Sequence, residues 1–376
     1  HGLGLAHPHD GGGTSAVLEG VTGPFNSLGV FSLNQSIHTM MSYNRGNPAG
    51  QGAGNDFFGG NATPMAVDIA VLQSKYGADM TYATGDDTYR LPDQTGVGTG
   101  WISIWDAGGN DRIRYDGDND SVIDLREATL QAEPGGGGFT SFAGDVLGGF
   151  TIANGVVIER ALTDAGNDII VGNAADNELQ SRAGDDIIVA TGGSDTVNGG
   201  ANFDMISYVF SDKRVVVNLD SVTREGAASN TALETADGSI DTLTAIEFAM
   251  GGSADDSLYG SDRRNTLVGN EGDDLLNGRG GQDTLVGGAG DDVLRGSGGI
   301  DTADYSTDTS GVTVNLEVGN AADGFGTRDR LISIENVIGS DFDDLMTGDA
   351  LNNRFFLGDG DDEGIGGGGN DSMFGG

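Results

Sequence analysis

The sequence predicts a mostly β protein: a right-handed parallel β-roll preceded by a small, partly helical segment. Three observations predict this fold class. A nine-residue repeat places aspartate and an apolar residue at fixed offsets, 68 of the 376 residues are glycine, and 58 acidic against 18 basic residues give a formal charge of −40. Glycine permits tight turns and close backbone approach, and an apolar residue between two outward ones makes a short strand with one inward side chain.

The composition also excludes several classes of protein. A chain without cysteine cannot be a disulfide scaffold. Its negative charge disfavours nucleic-acid binding through phosphates, and no apolar run in the sequence approaches the length that a transmembrane helix needs. We therefore expect no nucleic acid and no membrane span among its interactions.

Charge and histidine are unevenly distributed along the chain. Residues 1–80 hold only five acidic and two basic residues, and the remaining acidic residues follow them. All four histidines, His1, His7, His9 and His38, lie in this first part. We predict one domain at residues 1–80 and an acidic array at residues 81–376, divided into three superrepeats at about 81–204, 205–301 and 302–376.

The array repeats with two periods. Aspartate or asparagine recurs every nine residues, in most units with an apolar residue two positions later. The first block comprises Asp168, Asn177, Asp186, Asp195 and Asp204; the second Asp256, Asn265, Asp274, Asp283, Asp292 and Asp301; the third Asp344, Asn353, Asp362 and Asp371. A longer period of 88 residues relates Glu159, Glu247 and Glu335. These glutamates are either outward strand residues or extra calcium ligands.

The nine-residue spacing predicts a calcium-dependent structure. Two units make one coil, so residues 18 apart stack at the interstrand distance of about 4.8 Å. Carboxylates about 5 Å apart repel by roughly 3 kcal/mol at an effective dielectric constant of 20. Calcium removes this conflict, because it takes six to eight oxygen ligands from carboxylates and carbonyls. Counting the pairs of these aspartates and asparagines that are 18 residues apart predicts roughly nine Ca²⁺. The alternative, a disordered acidic linker, is disfavoured because it would need no apolar residue at a fixed offset.

The nonapeptide resembles the repeats-in-toxin (RTX) family of secreted bacterial proteins, whose repeats bind calcium in a parallel β-roll. This resemblance covers most of residues 81–376. The calcium ligands that it implies are Gly166, Asp168, Gly184, Asp186, Asp195, Asp204, Asp256, Gly272, Asp274, Gly281, Asp283, Gly290, Asp292, Asp301, Asp344, Gly360, Asp362, Gly369 and Asp371.

The first residues contain part of a known metal motif. Residues 1–7 read H-x-x-G-x-x-H, which is the second half of the metzincin zinc motif H-E-x-x-H-x-x-G-x-x-H. Met41-Ser42-Tyr43 follows and resembles the Met-turn, in which a methionine lies beneath the metal. Residues 63–77 then predict a packing helix with Thr63 as its N-cap and Gly77 after its last turn.

Together these segments resemble the serralysin family, zinc metalloendopeptidases of the metzincin clan (peptidase M10) with a C-terminal calcium β-roll. The resemblance implies that His1, His7 and Tyr43 are zinc ligands, that Tyr43 also stabilises the tetrahedral intermediate, and that Met41 is the methionine of the Met-turn. It further implies a calcium site formed by Gly85, Asp87, Asp106, Gly108, Gly109 and Asp111. His9 and His38 are expected to be surface histidines.

The sequence departs from that family at the motif itself. The first zinc histidine and the glutamate base are not among the 376 residues. We therefore expect a fragment that is inactive alone, with the missing N-terminal half of the protease domain as a partner and proteins or peptides as substrates. The cofactors expected are several Ca²⁺ and, in the intact enzyme, one Zn²⁺.

Three functions compete at this level. The first is a secreted calcium-dependent zinc metalloendopeptidase, exported by type I secretion because the repeats stay unfolded at low cytosolic calcium and fold outside the cell. The second is a non-catalytic extracellular structural or surface module that carries a protease remnant. The third, a repeat-bearing toxin or a polysaccharide-modifying enzyme, would not explain residues 41–43.

Overall fold

The computed structural model describes residues 21–22, 27, 30–33, 35–42 and 60–375. They belong to two compact units, residues 1–188 and residues 189–376. The predicted boundary near residue 80 falls inside the first unit and stays a prediction, as do the superrepeat bounds. None of the helices in the described residues is long and apolar enough to cross a membrane.

The first unit contains the helical structure of the described residues. A single 3-10 turn spans Val30–Ser32, and helix α1 spans Ala66–Tyr76. Gly77 follows the helix with a positive φ of 85°, and its N–H donates to the carbonyl of Gln73 at 2.8 Å.

The predicted N-cap of this helix is wrong. Met65 caps α1, because the Asp68 carboxylate in the first turn accepts the N–H of Met65 at 2.9 Å. The Thr63 hydroxyl instead accepts the N–H of Ser103 at 3.1 Å, from a neighbouring strand. A tertiary contact therefore replaces the local cap that the sequence predicts.

The strands of the first unit form two sheets and one separate pair. They are β1 (Thr88–Arg90), β2 (Trp101–Ile104), β3 (Arg112–Arg114), β4 (Ser121–Asp124), β5 (Phe142–Ala143), β6 (Gly149–Ile152), β7 (Arg160–Leu162), β8 (Ile169–Val171), β9 (Glu178–Ala183) and β10 (Ile187–Val189). One sheet has the order β1-β3-β7-β9, the other β10-β8-β4-β5, and β2 pairs with β6. Apart from the antiparallel pair of β4 and β5, the registers that the structure describes here are parallel.

The second unit continues the same design with twenty strands. They are β11 (Thr196–Ala201), β12 (Met205–Ser207), β13 (Val215–Asn218), β14 (Thr231–Glu234), β15 (Ile240–Thr244), β16 (Phe248–Met250), β17 (Ser257–Tyr259), β18 (Thr266–Glu271), β19 (Leu275–Gly281), β20 (Thr284–Ala289), β21 (Val293–Gly299), β22 (Thr302–Asp304), β23 (Thr313–Asn315), β24 (Asn320–Ala322), β25 (Arg328–Ile332), β26 (Asn336–Ile338), β27 (Leu345–Thr347), β28 (Arg354–Gly358), β29 (Glu363–Ile365) and β30 (Ser372–Gly375). One sheet runs β11-β15-β14-β13-β17-β19-β21-β25-β24-β23-β27-β29, and the other runs β30-β28-β26-β22-β20-β18-β16-β12.

The coil of 18 residues is confirmed by the strand register. Leu258 of β17 lies opposite Leu276 of β19, which lies opposite Leu294 of β21. In the other sheet Leu267 lies opposite Leu285. All five leucines are fully buried, so these apolar residues of the nonapeptides form the core between the two sheets. The mostly β fold with parallel sheets is therefore as predicted.

Two antiparallel meanders interrupt the parallel coils. Strands β13, β14 and β15 form the first, and β23, β24 and β25 form the second. The nine-residue repeat does not predict these hairpins. Asn218 supports the first of these hairpins, because its Nδ2 donates to the carbonyls of Val222 and Ala228 at 2.9 and 2.7 Å.

Candidate calcium rows and the methionine segment

The acidic side chains of the repeat stand in line at the start of successive strands. We call such a line a carboxylate row. In the second unit one row follows the sheet that contains β17, β19 and β21, and the other follows the sheet that contains β18, β20 and β22. Most residues of a row come directly before a strand, as Asp274 comes before β19. The parallel register therefore stacks the side chains coil on coil.

Within a row, one carboxylate oxygen is bonded to the neighbouring coil. The N–H of Asp256 donates to Oδ1 of Asp274 at 2.6 Å, and the N–H of Asp274 donates to Oδ1 of Asp292 at 2.8 Å. In the other row the N–H of Asp283 donates to Oδ1 of Asp301 at 2.9 Å. Repulsion between neighbouring carboxylates is therefore not the only interaction within a row. A backbone amide of the preceding coil also donates a hydrogen bond to one oxygen of each of these side chains.

In several of the aspartates the second carboxylate oxygen has no such partner. Among the described residues, the buried Oδ2 atoms of Asp111, Asp274, Asp283, Asp292 and Asp301 accept no hydrogen bond. Leaving a polar atom buried without a partner costs about 1–3 kcal/mol, and more for a charged group. Whether the rows fit a cation therefore depends on what surrounds these oxygens.

Glycines create the space that these oxygens occupy. A Cβ atom at Gly269 would overlap both Oδ2 of Asp274 and the carbonyl oxygen of Gly287, and a Cβ at Gly287 would overlap Oδ2 of Asp292. Carboxylate and carbonyl oxygens thus converge beside these glycines. Calcium takes ligands of this kind, so the residues present fit Ca²⁺.

Burial changes the protonation of the rows. Burial, together with the charges of Asp292 and Asp256 and against the lowering effect of the hydrogen bond from the Asp256 amide, raises the pKa of Asp274 to about 8. Burial likewise raises the pKa of Asp283 and that of Asp292 to about 7. Without a cation these carboxyl groups therefore hold protons near neutral pH.

The structure brings the aspartates of the other predicted blocks together in the same way. The N–H of Asp168 donates to Oδ1 of Asp186 at 2.7 Å, and the N–H of Asp344 donates to Oδ1 of Asp362 at 2.9 Å. Asp371 accepts the N–H of Asn353 at 2.9 Å. Metal binding at each of these positions stays a prediction.

The predicted glycines of the nonapeptide array lie in the turns between strands, except Gly281, which ends β19. A Cβ atom at any of them would overlap the backbone of another coil, and for six of them that backbone is 18 residues earlier. The glycines and the residues they approach are Gly184 and Gly166, Gly272 and Ala254, Gly281 and Arg263, Gly290 and Gly272, Gly360 and Phe342, and Gly369 and Leu351. All six have a positive φ, so glycine is required there by conformation and by space.

Two row members were missed by the sequence reasoning. The N–H of Asp195 donates to Oδ1 of Asp241 at 2.8 Å, and the N–H of Asp292 donates to Oδ1 of Asp329 at 3.1 Å. The meanders separate these partners by more than 18 residues. A signal was nevertheless present, since Asp241 and Asp329 are themselves 88 apart and each is followed two positions later by leucine.

The repeated glutamates also belong to the rows. Oε2 of Glu159 accepts the N–H of Asp111 at 2.8 Å, and Oε2 of Glu335 accepts the N–H of Asp301 at 2.9 Å. Oε2 of Glu247 accepts the N–H of Asp204 at 3.3 Å. Each glutamate therefore takes the place of an aspartate where the row resumes after an insertion, and its longer side chain spans the gap.

The predicted calcium site of the first unit is a compact acidic cluster. Carboxylate oxygens of Asp87, Asp106 and Asp111 lie within 4.8 Å of one another. The N–H of Asp87 donates to Oδ1 of Asp111 at 2.7 Å, and the N–H of Gly108 donates to Oδ1 of Asp106 at 3.0 Å. Burial, followed by the neighbouring carboxylates, raises the pKa of Asp111 to about 6.

The remaining predicted ligands complete this cluster. A Cβ atom at Gly109 would overlap the carbonyl oxygen of Gly85 and would lie 2.7 Å from Oδ1 of Asp111. The structure thus places all six residues of the predicted site together. Tyr89, which was not predicted, donates its hydroxyl to Oδ2 of Asp106 at 2.6 Å.

The predicted zinc ligands His1, His7 and Tyr43 lie outside the described residues. Of the Met-turn, Met41 is described and buried. His38 is partly buried rather than a free surface histidine: a Cβ atom at Gly137 would overlap its ring, and burial lowers its pKa.

A buried carboxylate of α1 holds the segment before Met41. Oδ1 of Asp68 accepts the hydroxyl of Thr39 at 2.6 Å, and its Oδ2 accepts the N–H groups of Met40 and Met65 at 2.7 and 2.9 Å. The sequence reasoning treated this helix as packing alone and missed Asp68. Its position in the first helical turn was the available signal, since an acid there can cap the helix.

Two parts of the chain match known protein families. Residues 79–225 match the family "Peptidase M10 serralysin C terminal", and residues 250–285, 268–303 and 338–373 match the RTX calcium-binding nonapeptide repeat. Residues 79–225 are therefore similar to the C-terminal region of serralysin-type metalloproteases, and the later segments are similar to RTX calcium-binding repeats.

Several named relatives share this region. The chain is similar to Metallopeptidase AprA of Pseudomonas marginalis, with 31% identity over 48% of the chain and 37% of the relative. It is also similar to Serralysin C of Dickeya chrysanthemi, with 37% identity over 46% of the chain and 34% of the relative, and to Serralysin of Proteus mirabilis, with 34% identity over 48% and 35%. The matched region spans little more than a third of each relative's length.

Proposed function

We propose that this chain is the calcium-folded C-terminal part of a zinc metalloendopeptidase that cleaves protein substrates. The observation that carries the proposal is the set of buried, unpartnered Oδ2 atoms in the rows, in a chain that matches both the RTX repeat and the serralysin C-terminal family. The relatives named as serralysins and metallopeptidases support the catalytic half of the proposal.

Calcium binding would supply the folding energy of the rows. The ligands would be the row aspartates with carbonyl oxygens such as that of Gly287, together with the cluster of Asp87, Asp106 and Asp111. A site filled to 100 times its dissociation constant stabilises the folded state by about 2.7 kcal/mol. Roughly nine sites would thus account for the stability of a fold that buries so many carboxylates.

The same energetics supports export before folding. Sites with dissociation constants near 10⁻⁴–10⁻³ M stay empty in the cytosol and fill in extracellular calcium. We therefore propose that the protein is secreted by a type I pathway and folds outside the cell.

The catalytic proposal concerns residues of the first unit. His1, His7 and Tyr43 would hold zinc, which when bound polarises a peptide carbonyl and activates water. The residues of this chain would orient that site: Asp68 holds Thr39 and Met40 in place, and would so position Met41, the methionine of the predicted Met-turn. The motif's glutamate base is not among the 376 residues, so activity is proposed for the parent enzyme.

Two measurements test the function. The intact mass of the natural protein shows whether His-Glu-x-x precedes His1 in it. A casein assay on that protein, with and without chelator, is expected to show hydrolysis that chelation abolishes. A natural protein that begins at His1 and leaves casein intact while binding calcium would instead support the alternative, a non-catalytic extracellular structural or surface module.

A further inference from the structure

Asparagine interrupts the carboxylate rows one coil after each of the three repeated glutamates. The pairs are Glu159 and Asn177, Glu247 and Asn265, and Glu335 and Asn353, each 18 residues apart. In every pair the asparagine Nδ2 donates to the backbone carbonyl of the glutamate, at 3.4, 3.0 and 3.2 Å respectively. We call this arrangement a Glu–Asn step.

The asparagine oxygen is also satisfied within the chain. Oδ1 of Asn265 accepts the N–H of Ser261 at 2.7 Å, and Oδ1 of Asn353 accepts the N–H of Asp349 at 2.9 Å. Oδ1 of Asn177 accepts the N–H of Asn173 at 2.8 Å. Both polar atoms of these side chains therefore have partners, in contrast to the aspartates with a lone Oδ2.

A satisfied amide changes what a row can bind. The asparagine has no charge, and its N–H hydrogens point at a carbonyl oxygen of the neighbouring coil. An amide donor offers no lone pair to a cation, and calcium requires oxygen ligands on every side. At a Glu–Asn step, hydrogen bonds thus connect two neighbouring coils, as a cation would between two aspartates.

We propose that the Glu–Asn steps are metal-free joints that separate the calcium-binding stretches of the array. Asn177, Asn265 and Asn353 are positioning residues that bind one coil to the next in the absence of calcium. Calcium then completes the aspartate stretches on either side of each joint. This inference rests on the proposed binding of calcium by the rows.

Changing the amide to a carboxylate tests the joint. The variant Asn265→Asp is expected to bind one more calcium per chain than the unaltered protein, measured by equilibrium dialysis with atomic absorption. Asn320→Asp is the matched control, because Asn320 is exposed and lies outside the rows, and it should bind the unaltered number. An Asn265→Asp variant that binds no additional calcium would overturn the proposal.

Hydrogen exchange of the unaltered protein in excess chelator gives a second measurement. The amides of Ser261 and Asp349, which donate to the joint asparagines, should exchange about tenfold more slowly than those of Asp256 and Asp274, which donate to aspartates. Equal exchange at all four amides would refute the joints while leaving calcium binding intact. An unaltered protein that binds no calcium would refute the proposed function as well.

Discussion

Asp68 and Asp274 are equally buried, each with 2% of its surface exposed, yet their surroundings differ. Asp68 accepts three hydrogen bonds, which engage both of its oxygens. Asp274 accepts one on Oδ1, and its Oδ2 has no partner among the described residues. The comparison shows that burial alone does not indicate a metal site. The chain supplies donors to both oxygens of one carboxylate and leaves one oxygen of the other without a donor.

Removing calcium should produce the largest difference between the two regions. At pH 8, excess chelator is expected to abolish most of the β signal in far-ultraviolet circular dichroism, because about 2.7 kcal/mol per well-filled site is lost at several sites together. Calcium added back should restore the signal, and magnesium at the same concentration serves as the control. A β signal that survives chelation unchanged would contradict the calcium-dependent fold.

The pH dependence should reverse with calcium. The raised pKa values of Asp274, Asp283 and Asp292 mean that the folded, metal-free chain binds more protons than the unfolded chain between pH 4 and 8. Their contribution to stability is thus present at acid pH and is lost as pH rises through about 7 to 8. Each unit of pKa difference is worth about 1.4 kcal/mol.

Thermal melts in chelator should therefore show a lower melting temperature at pH 8 than at pH 5. In calcium the order should be the opposite, because protons compete with the cation for the same oxygens. Calcium binding at pH 6.5 should also release protons, measured by titration calorimetry in buffers of different ionisation enthalpy. Melting temperatures that rise with pH in chelator would argue against the buried, protonated rows.

Substitution of a single glycine should test one predicted calcium site of a row. Gly269→Ala places a Cβ where Oδ2 of Asp274 and the carbonyl of Gly287 lie, and overpacking of this kind costs about 1–3 kcal/mol. The variant should lose one bound calcium and unfold at a higher free calcium concentration than the unaltered protein. Gly96→Ala is the matched control, since no atom lies within 4 Å of the added Cβ.

The smallest expected effect is that of altering Asp68, whose two carboxylate oxygens both accept hydrogen bonds. Asp68→Asn turns an acceptor oxygen into a donor that faces other donors, which costs about 1–3 kcal/mol. The amide of Met40 should exchange faster, and calcium stoichiometry should not change. Asp118→Asn, at an exposed position, controls for the lost charge. Altered calcium binding in Asp68→Asn would mean that the two regions are not independent.

The repeat made much of this structure predictable. Leu276 and Leu294 are opposite each other and fully buried, because an apolar residue at a fixed offset can only line the core of an 18-residue coil. The stacking of Asp274 on Asp292 follows from the same arithmetic. Prediction failed where the chain leaves the period: the meanders place Asp241 and Asp329 in the rows at separations that no count of nine reveals.

The sequence by itself determined the coil, its apolar core and the positions of its carboxylates, because these depend on spacing along the chain. The tertiary structure alone decided which oxygens are left without partners. An amide from the preceding coil takes Oδ1 of Asp274, the glutamates reconnect rows across insertions, and Asp68 is completed by Thr39, Met40 and Met65. The physical reason is that hydrogen-bond satisfaction depends on distance in space, and distant segments supply the donors.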